Sequence, residues 1–393
     1  MDKQGASSPF SLNPLSGIRF GPGRVADVAV QASASGDANR PVVLVVDGGL
    51  LEIGAAAPVL TSLEQAGADV RVFSDIHGEP KQKQVEAATE AVRSCDAGMV
   101  VCMGGGSAMD IGKVAATIAR TGYGPADFAM QGMDLPKDGV PKICIPTTSG
   151  TGSELSSTNI FTNTDGKKVW VWGVESKPDH VILDPELTLS LPSNLTAWTG
   201  LDAFSHAFES CTNINRHRGN NFYAHTALSL ISASLETAVN EPGNIDARSN
   251  LMLGSAYAGI ALDNCSAAMA HNISHALACL GPIHHGFATG LAIEVILGWQ
   301  VEEDEGQFAD AAVACGLEHD ANALVSWYSD LLTRCGVERK LPEVFKAFSD
   351  TDLAQAMQLP ETTPMADVTA RTVTPDDFNK FATSMMVMAQ GML

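Results

Sequence analysis

Hydrophobic positions in the first half of the chain fall in short continuous runs, separated by Ala-rich stretches in which apolar residues recur at helical spacing. PVVLVVD (41–47), ADVRVFSD (68–75) and AGMVVCMGGGS (97–107) are the runs; LLEIGAAAPVLTSLEQAG (50–67) and QVEAATEAVRSC (84–95) lie between them. The order is β-α-β-α-β. Unbroken apolar strands, rather than alternating ones, predict a parallel sheet covered by helices on both faces. KICIPTTSG (142–150) adds another strand, a hairpin is predicted around NTDGKK (163–168), and VILDPELTLSLP (181–192) closes the region at Pro192. Beyond Pro192 the long Ala-, Leu- and Met-rich stretches predict helices only, ending in a capped amphipathic helix within residues 369–392. The expected architecture is an α/β dinucleotide-binding domain over residues 1–192, followed by an all-helical domain over 193–393 that carries metal and catalysis.

Charge narrows the partners. With 24 Lys plus Arg against 45 Asp plus Glu, the net charge is 24 − 45 = −21, which repels nucleic acid and anionic membrane surfaces. The opening MDKQGASSPFSLNP lacks the apolar core of a signal peptide, and no apolar run reaches spanning length, so the expected location is the cytoplasm. Eight scattered cysteines without a C-x-x-C pair read as reduced core thiols.

Two loops suit a nucleotide. In MVVCMGGGSAMDIGK (99–113) a strand meets three glycines and then a helix expected to start near Ala108, so backbone N–H groups and a helix dipole could meet a pyrophosphate; a plain tight turn fits the same pattern. PTTSGTGSE (146–154) places hydroxyls and two glycines after a strand end, where α/β folds bind ligands, and a flexible linker would look similar. Asp47, ending the first strong strand, either meets a ribose hydroxyl, favouring NAD over NADP, or caps the strand end.

The helical half carries a denser constellation. In GLDAFSHAFES (200–210) Asp202 and His206 stand one helical turn apart in apolar surroundings. In SAAMAHNISHALACLGPIHHGFATG (266–290) His271, His275, His284 and His285 fall within fifteen residues. Any one of these histidines could be an ordinary core residue, but a buried carboxylate needs a positive partner. A divalent cation would supply one, and imidazoles with a carboxylate, without thiolates, suit Fe(II) or Zn(II).

Together GGGSAMDIGK, PTTSGTGSE, LDPELTLSLP, the G-x-D-A-x-x-H-A-x-E pattern of GLDAFSHAFE and the H-x3-H-x9-H-G pattern from His271 to Gly286 resemble the iron-containing (group III) alcohol dehydrogenases over essentially the whole chain. That resemblance implies a metal held by Asp202, His206, His271 and His285, Fe(II) or alternatively Zn(II). It implies NAD bound through Gly104, Gly105, Gly106 and Ser107 at the pyrophosphate, with Asp110 in the same motif. Thr147, Thr148, Ser149 and Thr151 fall to the nicotinamide or ribose, and Lys168, or its neighbour Lys167, to the ribose. His275 becomes the candidate proton relay, whereas His284 stands where the family commonly has proline. Hydride transfer between NAD(H) and a small primary alcohol or aldehyde is the implied chemistry, with homodimers formed through PLSGIRFGPGRVADV (14–28). KKVWVWG (167–173), with Trp170 and Trp172, and the stretch around Asn264 and Met269 are expected to border the substrate. A hydroxyacid–oxoacid transhydrogenase with retained NAD is the nearest alternative. A dehydroquinate synthase fits poorly, because no basic residues cluster beside the histidine motif, and a non-catalytic nucleotide-binding protein would not keep all four metal positions.

Overall fold

The fold is taken from a computed structural model that describes residues 8–390. The first seven residues of the opening stretch, and Gly391 and Met392 of the expected terminal helix, lie outside the described residues.

Eight strands are described: β1 (Gly17–Phe20), β2 (Val42–Val46), β3 (Val70–Phe73), β4 (Met99–Gly104), β5 (Lys142–Pro146), β6 (Thr158–Thr162), β7 (Lys168–Trp172) and β8 (His180–Leu183). Six of them form one sheet in the order β1-β8-β5-β4-β2-β3, parallel throughout. Successive side chains of a strand face opposite ways. Thus Val43, Val45, Val100, Cys102 and Cys144 fill one core, while Val42, Leu44, Val46, Val101, Met103, Ile143 and Ile145 fill another on the opposite face. Burial on both faces is why these strands read as unbroken apolar runs. β6 and β7 pair separately as an antiparallel hairpin, turning at Asn163–Gly166.

The chain forms two compact units. One comprises Asn13–Thr148 and Gly152–Ser190 and holds all eight strands. The other runs from Leu191 onward and includes Ser149–Thr151 and the described residues up to Leu12. Its helices Ser193–Thr212, Arg218–Asn240, Ile245–Cys265, Met269–Leu280 and His285–Val301 surround a core rich in Ala, Leu, Ile and Phe. The terminal helix, Pro375–Gln390, begins with a reciprocal cap: Thr374 N donates to Asp377 Oδ2 (3.0 Å) and Asp377 N to Thr374 Oγ1 (3.3 Å).

In the α/β unit the helix Gly106–Ile118 carries a fully buried lysine. Lys113 Nζ donates to the carbonyls of Ser153 (2.7 Å), Ser156 (3.1 Å) and Thr158 (3.3 Å), tying residues 153–158 to this helix. Glu154, on the tied segment, is 2% exposed. Burial pushes its carboxyl up to about 7, against the opposing pull of its own backbone N–H and Lys113. A carboxyl whose folded pKa exceeds its unfolded 4.5 holds its proton more tightly when folded, so stability falls as pH rises from about 4.5 to about 7 and then levels off. Between pH 5 and pH 8 the wild type is therefore expected to lose more stability than Glu154→Gln in chemical denaturation; parallel losses would remove Glu154 from this role.

Candidate metal centre

The helix Ser193–Thr212 is buried along nearly its whole length. Asp202, His206 and Glu209, at i, i+4 and i+7, project from one face of it. The helix Met269–Leu280 supplies His271, Ser274 and His275, and the helix His285–Val301 begins on His285 itself.

These elements bring one ligand atom each from Asp202, His206, His271 and His285 to within 4.8 Å of one another. Asp202 Oδ1 lies 3.9 Å from His206 Nε2, 3.7 Å from His271 Nε2 and 3.5 Å from His285 Nε2. Such spacings are too long for hydrogen bonds. They match the edge of about 3.4 Å in a tetrahedron whose centre lies about 2.1 Å from each ligand. Asp202 Oδ1 and His271 Nε2 are buried and make no hydrogen bond. Orphaned acceptor atoms of this kind, aimed at one another across a cation-sized gap, fit a divalent ion bound by one carboxylate and three imidazoles.

The electrostatics are those of a site that attracts positive charge. Burial alone would raise the Asp202 carboxyl, but His206, His285 and His271 outweigh it and hold the group well below the usual carboxylate range. His206 is lowered to about 4, chiefly by burial and against the pull of Asp202, so it is a neutral ligand near pH 7. For His271 burial also lowers, yet Glu209 and Asp202 together lift the imidazole to about 9.

Two supporting residues were not legible as such in the sequence. Glu209 is fully buried; its Oε2 lies 2.6 Å from His271 Nδ1 and also accepts from Ala268 N (2.8 Å), while Oε1 accepts from Ala270 N (2.6 Å). Ser274 Oγ lies 3.0 Å from His285 Nδ1. Partners of this type fix which ring nitrogen faces the metal. The i+7 spacing from Asp202 was the available clue to Glu209.

His275 is half-buried, its ring 5.4 Å from that of His285 and nearly perpendicular to it. His284 is exposed, precedes the His285 helix and packs its ring 5.1 Å from Trp198. Met269 is buried in the apolar core of the helical unit. Asn264 is half-buried and donates to Ile260 O (2.8 Å). On β7, Trp170 is half-buried and Trp172 exposed.

In the α/β unit, Asp47, the glycine run and two threonines meet at the carboxyl ends of β2, β4 and β5. Gly104 has φ +149° and would place a Cβ 2.8 Å from Ala108 Cβ, so only glycine fits the turn. Gly105 precedes the helix, which starts at Gly106 rather than near Ala108, and Ser107 is its second residue. Thr147 N donates to Gly104 O (2.9 Å), and Thr148 Oγ1 lies 3.6 Å from where a Gly105 Cβ would stand. Asp47 Oδ1 caps the short helix Gly48–Glu52 by accepting from Gly49 N (2.8 Å). Other residues expected at the cofactor have partners elsewhere. Asp110 accepts from Ser153 Oγ and Ile160 N, Lys168 Nζ pairs with Glu79 (2.9 Å), and Ser149 and Thr151 group with the helical unit.

A parallel α/β unit with a glycine turn at its strand ends, followed by a helical unit in which one aspartate and three histidines cluster, defines a metal-binding protein of dinucleotide-binding architecture. Residues 16–185 match the family model described as iron-containing alcohol dehydrogenase, and residues 196–370 match that family's C-terminal model. The chain belongs to the iron-containing alcohol dehydrogenase family. It is 34% identical to long-chain-alcohol dehydrogenase 1 of Geobacillus thermodenitrificans over 279 residues, 70% of each chain. It is 33% identical to 1,3-propanediol dehydrogenase of Citrobacter freundii over 307 residues, 77% of this chain and 78% of the relative. The crystal structure of sulfoacetaldehyde reductase from Bifidobacterium kashiwanohense in complex with NAD+ superposes with a TM-score of 0.87 at 29% identity, covering 97% of this chain and 99% of that one.

Proposed function

We propose that this chain is an NAD-dependent, iron-type alcohol dehydrogenase acting on a small primary alcohol or aldehyde, including substrates that bear a second hydroxyl or an acidic group. The carrying observation is the cluster of Asp202, His206, His271 and His285 around the orphaned Asp202 oxygen. Relatives named for propanediol and for sulfoacetaldehyde support the substrate class.

Asp202, His206, His271 and His285 would hold Fe(II), or alternatively Zn(II), and the bound ion supplies the Lewis acidity that lowers an alcohol's pKa or polarises an aldehyde. Two neighbouring groups keep those ligands ready: Glu209 holds His271 by Nδ1, and Ser274 lies within hydrogen-bond reach of His285 Nδ1. The half-exposed N-terminus of the Gly106–Ile118 helix, with Gly104–Ser107, would receive the NAD pyrophosphate, and Asp47 beside it the ribose. Thr147 and Thr148 fall to the nicotinamide or its ribose, as do Ser149 and Thr151.

His275 would relay the alcohol proton to solvent, being half-buried and next to His285 without belonging to the ligand set. His275→Ala is expected to lower kcat about 100-fold or more and to flatten its pH dependence. An unchanged rate and profile would take His275 out of the relay.

We assign the protein to the cytoplasm, in keeping with eight free thiols, and propose a homodimer. β1 is an exposed edge strand with Ile18 and Phe20 partly bare, an open template for a second copy. Sedimentation at micromolar concentration should give twice the chain mass.

The deciding experiment strips the protein of metal, reloads it with Fe(II) or Zn(II) and follows NADH formation over short alcohols, diols and hydroxy acids. Metal-dependent turnover is expected. Turnover of an oxoacid without added NAD would reassign the chain as a transhydrogenase, and NAD binding without turnover under either metal would overturn the reading.

A further inference from the structure

The connection between the helices Ile245–Cys265 and Met269–Leu280 is strained. Ser266 has φ 69° and ψ 164°, a conformation that glycine enters freely and other residues avoid. Five residues later stands His271.

The strained turn is gripped from one side by the end of the Asp202 helix. Asn213 Nδ2 donates to Cys265 O (2.6 Å) and Ser266 O (3.0 Å), and Ser210 Oγ donates to Ser266 O (3.4 Å). Glu209 then takes the N–H groups of Ala268 and Ala270, which lack partners within their own helix, and reaches His271 Nδ1 with the same carboxylate. Glu209, Ser210 and Asn213 are each 1% exposed or less, so water does not compete for these bonds. A negative group at a helix N-terminus is also favoured by the helix dipole.

Resting on the metal reading above, we propose that Glu209 and Asn213 are positioning residues that form a clasp, holding the Ser266 turn in its unfavourable conformation so that His271 is preset for the metal. Glu209 fixes the ring: accepting from Nδ1, it leaves Nε2 as the nitrogen that would bind the metal, whereas a glutamine amide could donate to Nδ1 and reverse the roles of the two nitrogens. Asn213 fixes the backbone that carries the ring. The clasp thus acts on metal affinity and ligand geometry rather than on overall stability alone.

The test uses full-length protein, stripped and titrated with Co(II) or Zn(II) against a chromophoric chelator, with far-UV circular dichroism to verify folding. Glu209→Gln is expected to weaken metal binding about 10- to 100-fold, and Asn213→Ala several-fold, each with an altered Co(II) visible spectrum. A purely structural role would lower the melting temperature and leave both the chelator titration and the spectrum of folded protein unmoved, which would overturn the clasp. Asn213→Ala keeps the test open if Glu209→Gln fails to fold. A wild-type protein that binds neither metal would instead overturn the metal reading itself.

Discussion

An Asp202→Asn enzyme is expected to keep its fold, lose its metal and fall in activity by roughly three orders of magnitude or more, the several kcal/mol of charge stabilisation that a catalytic cation supplies. Asp202 is the one anionic ligand of the four, and the three facing imidazole nitrogens lie 3.5–3.9 Å from its Oδ1. An amide of nearly the same shape preserves packing but removes the charge and turns part of the group into a donor. The fold has reason to survive, because His271 keeps Glu209 and the helix around residue 202 is held by apolar burial. Elemental analysis after reloading, paired with NADH formation at saturating Fe(II) or Zn(II), checks this. Unchanged metal affinity in a folded Asp202→Asn protein would show that the carboxylate charge does not hold the ion.

Gly286→Ala is the second large effect, and it arises from shape rather than charge. A Cβ at Gly286 would overlap the carbonyl oxygen of Trp198 and lie 3.0 Å from Asp202 Cβ. The His285 helix therefore approaches the Asp202 helix backbone to backbone at the residue next to a ligand. One methyl group must push the helices apart, which costs about 1–3 kcal/mol as overpacking and carries His285 away from the other three ligands. The expected result is a lower melting temperature together with loss of tight metal binding. Gly298→Ala in the same helix meets nothing within 4 Å and serves as the control, with stability unchanged or raised by up to about 1 kcal/mol. If the two variants behave alike, the close approach does not govern the site.

Much of this was readable in one dimension. The parallel sheet announced itself through β2, β4 and β5, whose residues are apolar on both faces because both faces are covered. Asp202 and His206 share a helix face by spacing alone, and the later histidines stood out because imidazoles amid alanines have few other uses. What escaped was whatever depends on a distant partner. Glu209 meets a histidine 62 positions away, and its carboxylate was only a letter in a pattern. Asp110 sits in the glycine motif, yet both its oxygens serve residues 43 and 50 positions further on. Lys113, a residue type that normally stays at the surface, is wholly buried because three carbonyls converge on it.

The pairing of Asp202 and Glu209 around His271 also sets the charge of the centre. Asp202 alone would leave a bound divalent ion with one positive charge uncompensated; Glu209, held on His271 Nδ1 and fully buried, would supply the second negative charge and make the centre neutral overall.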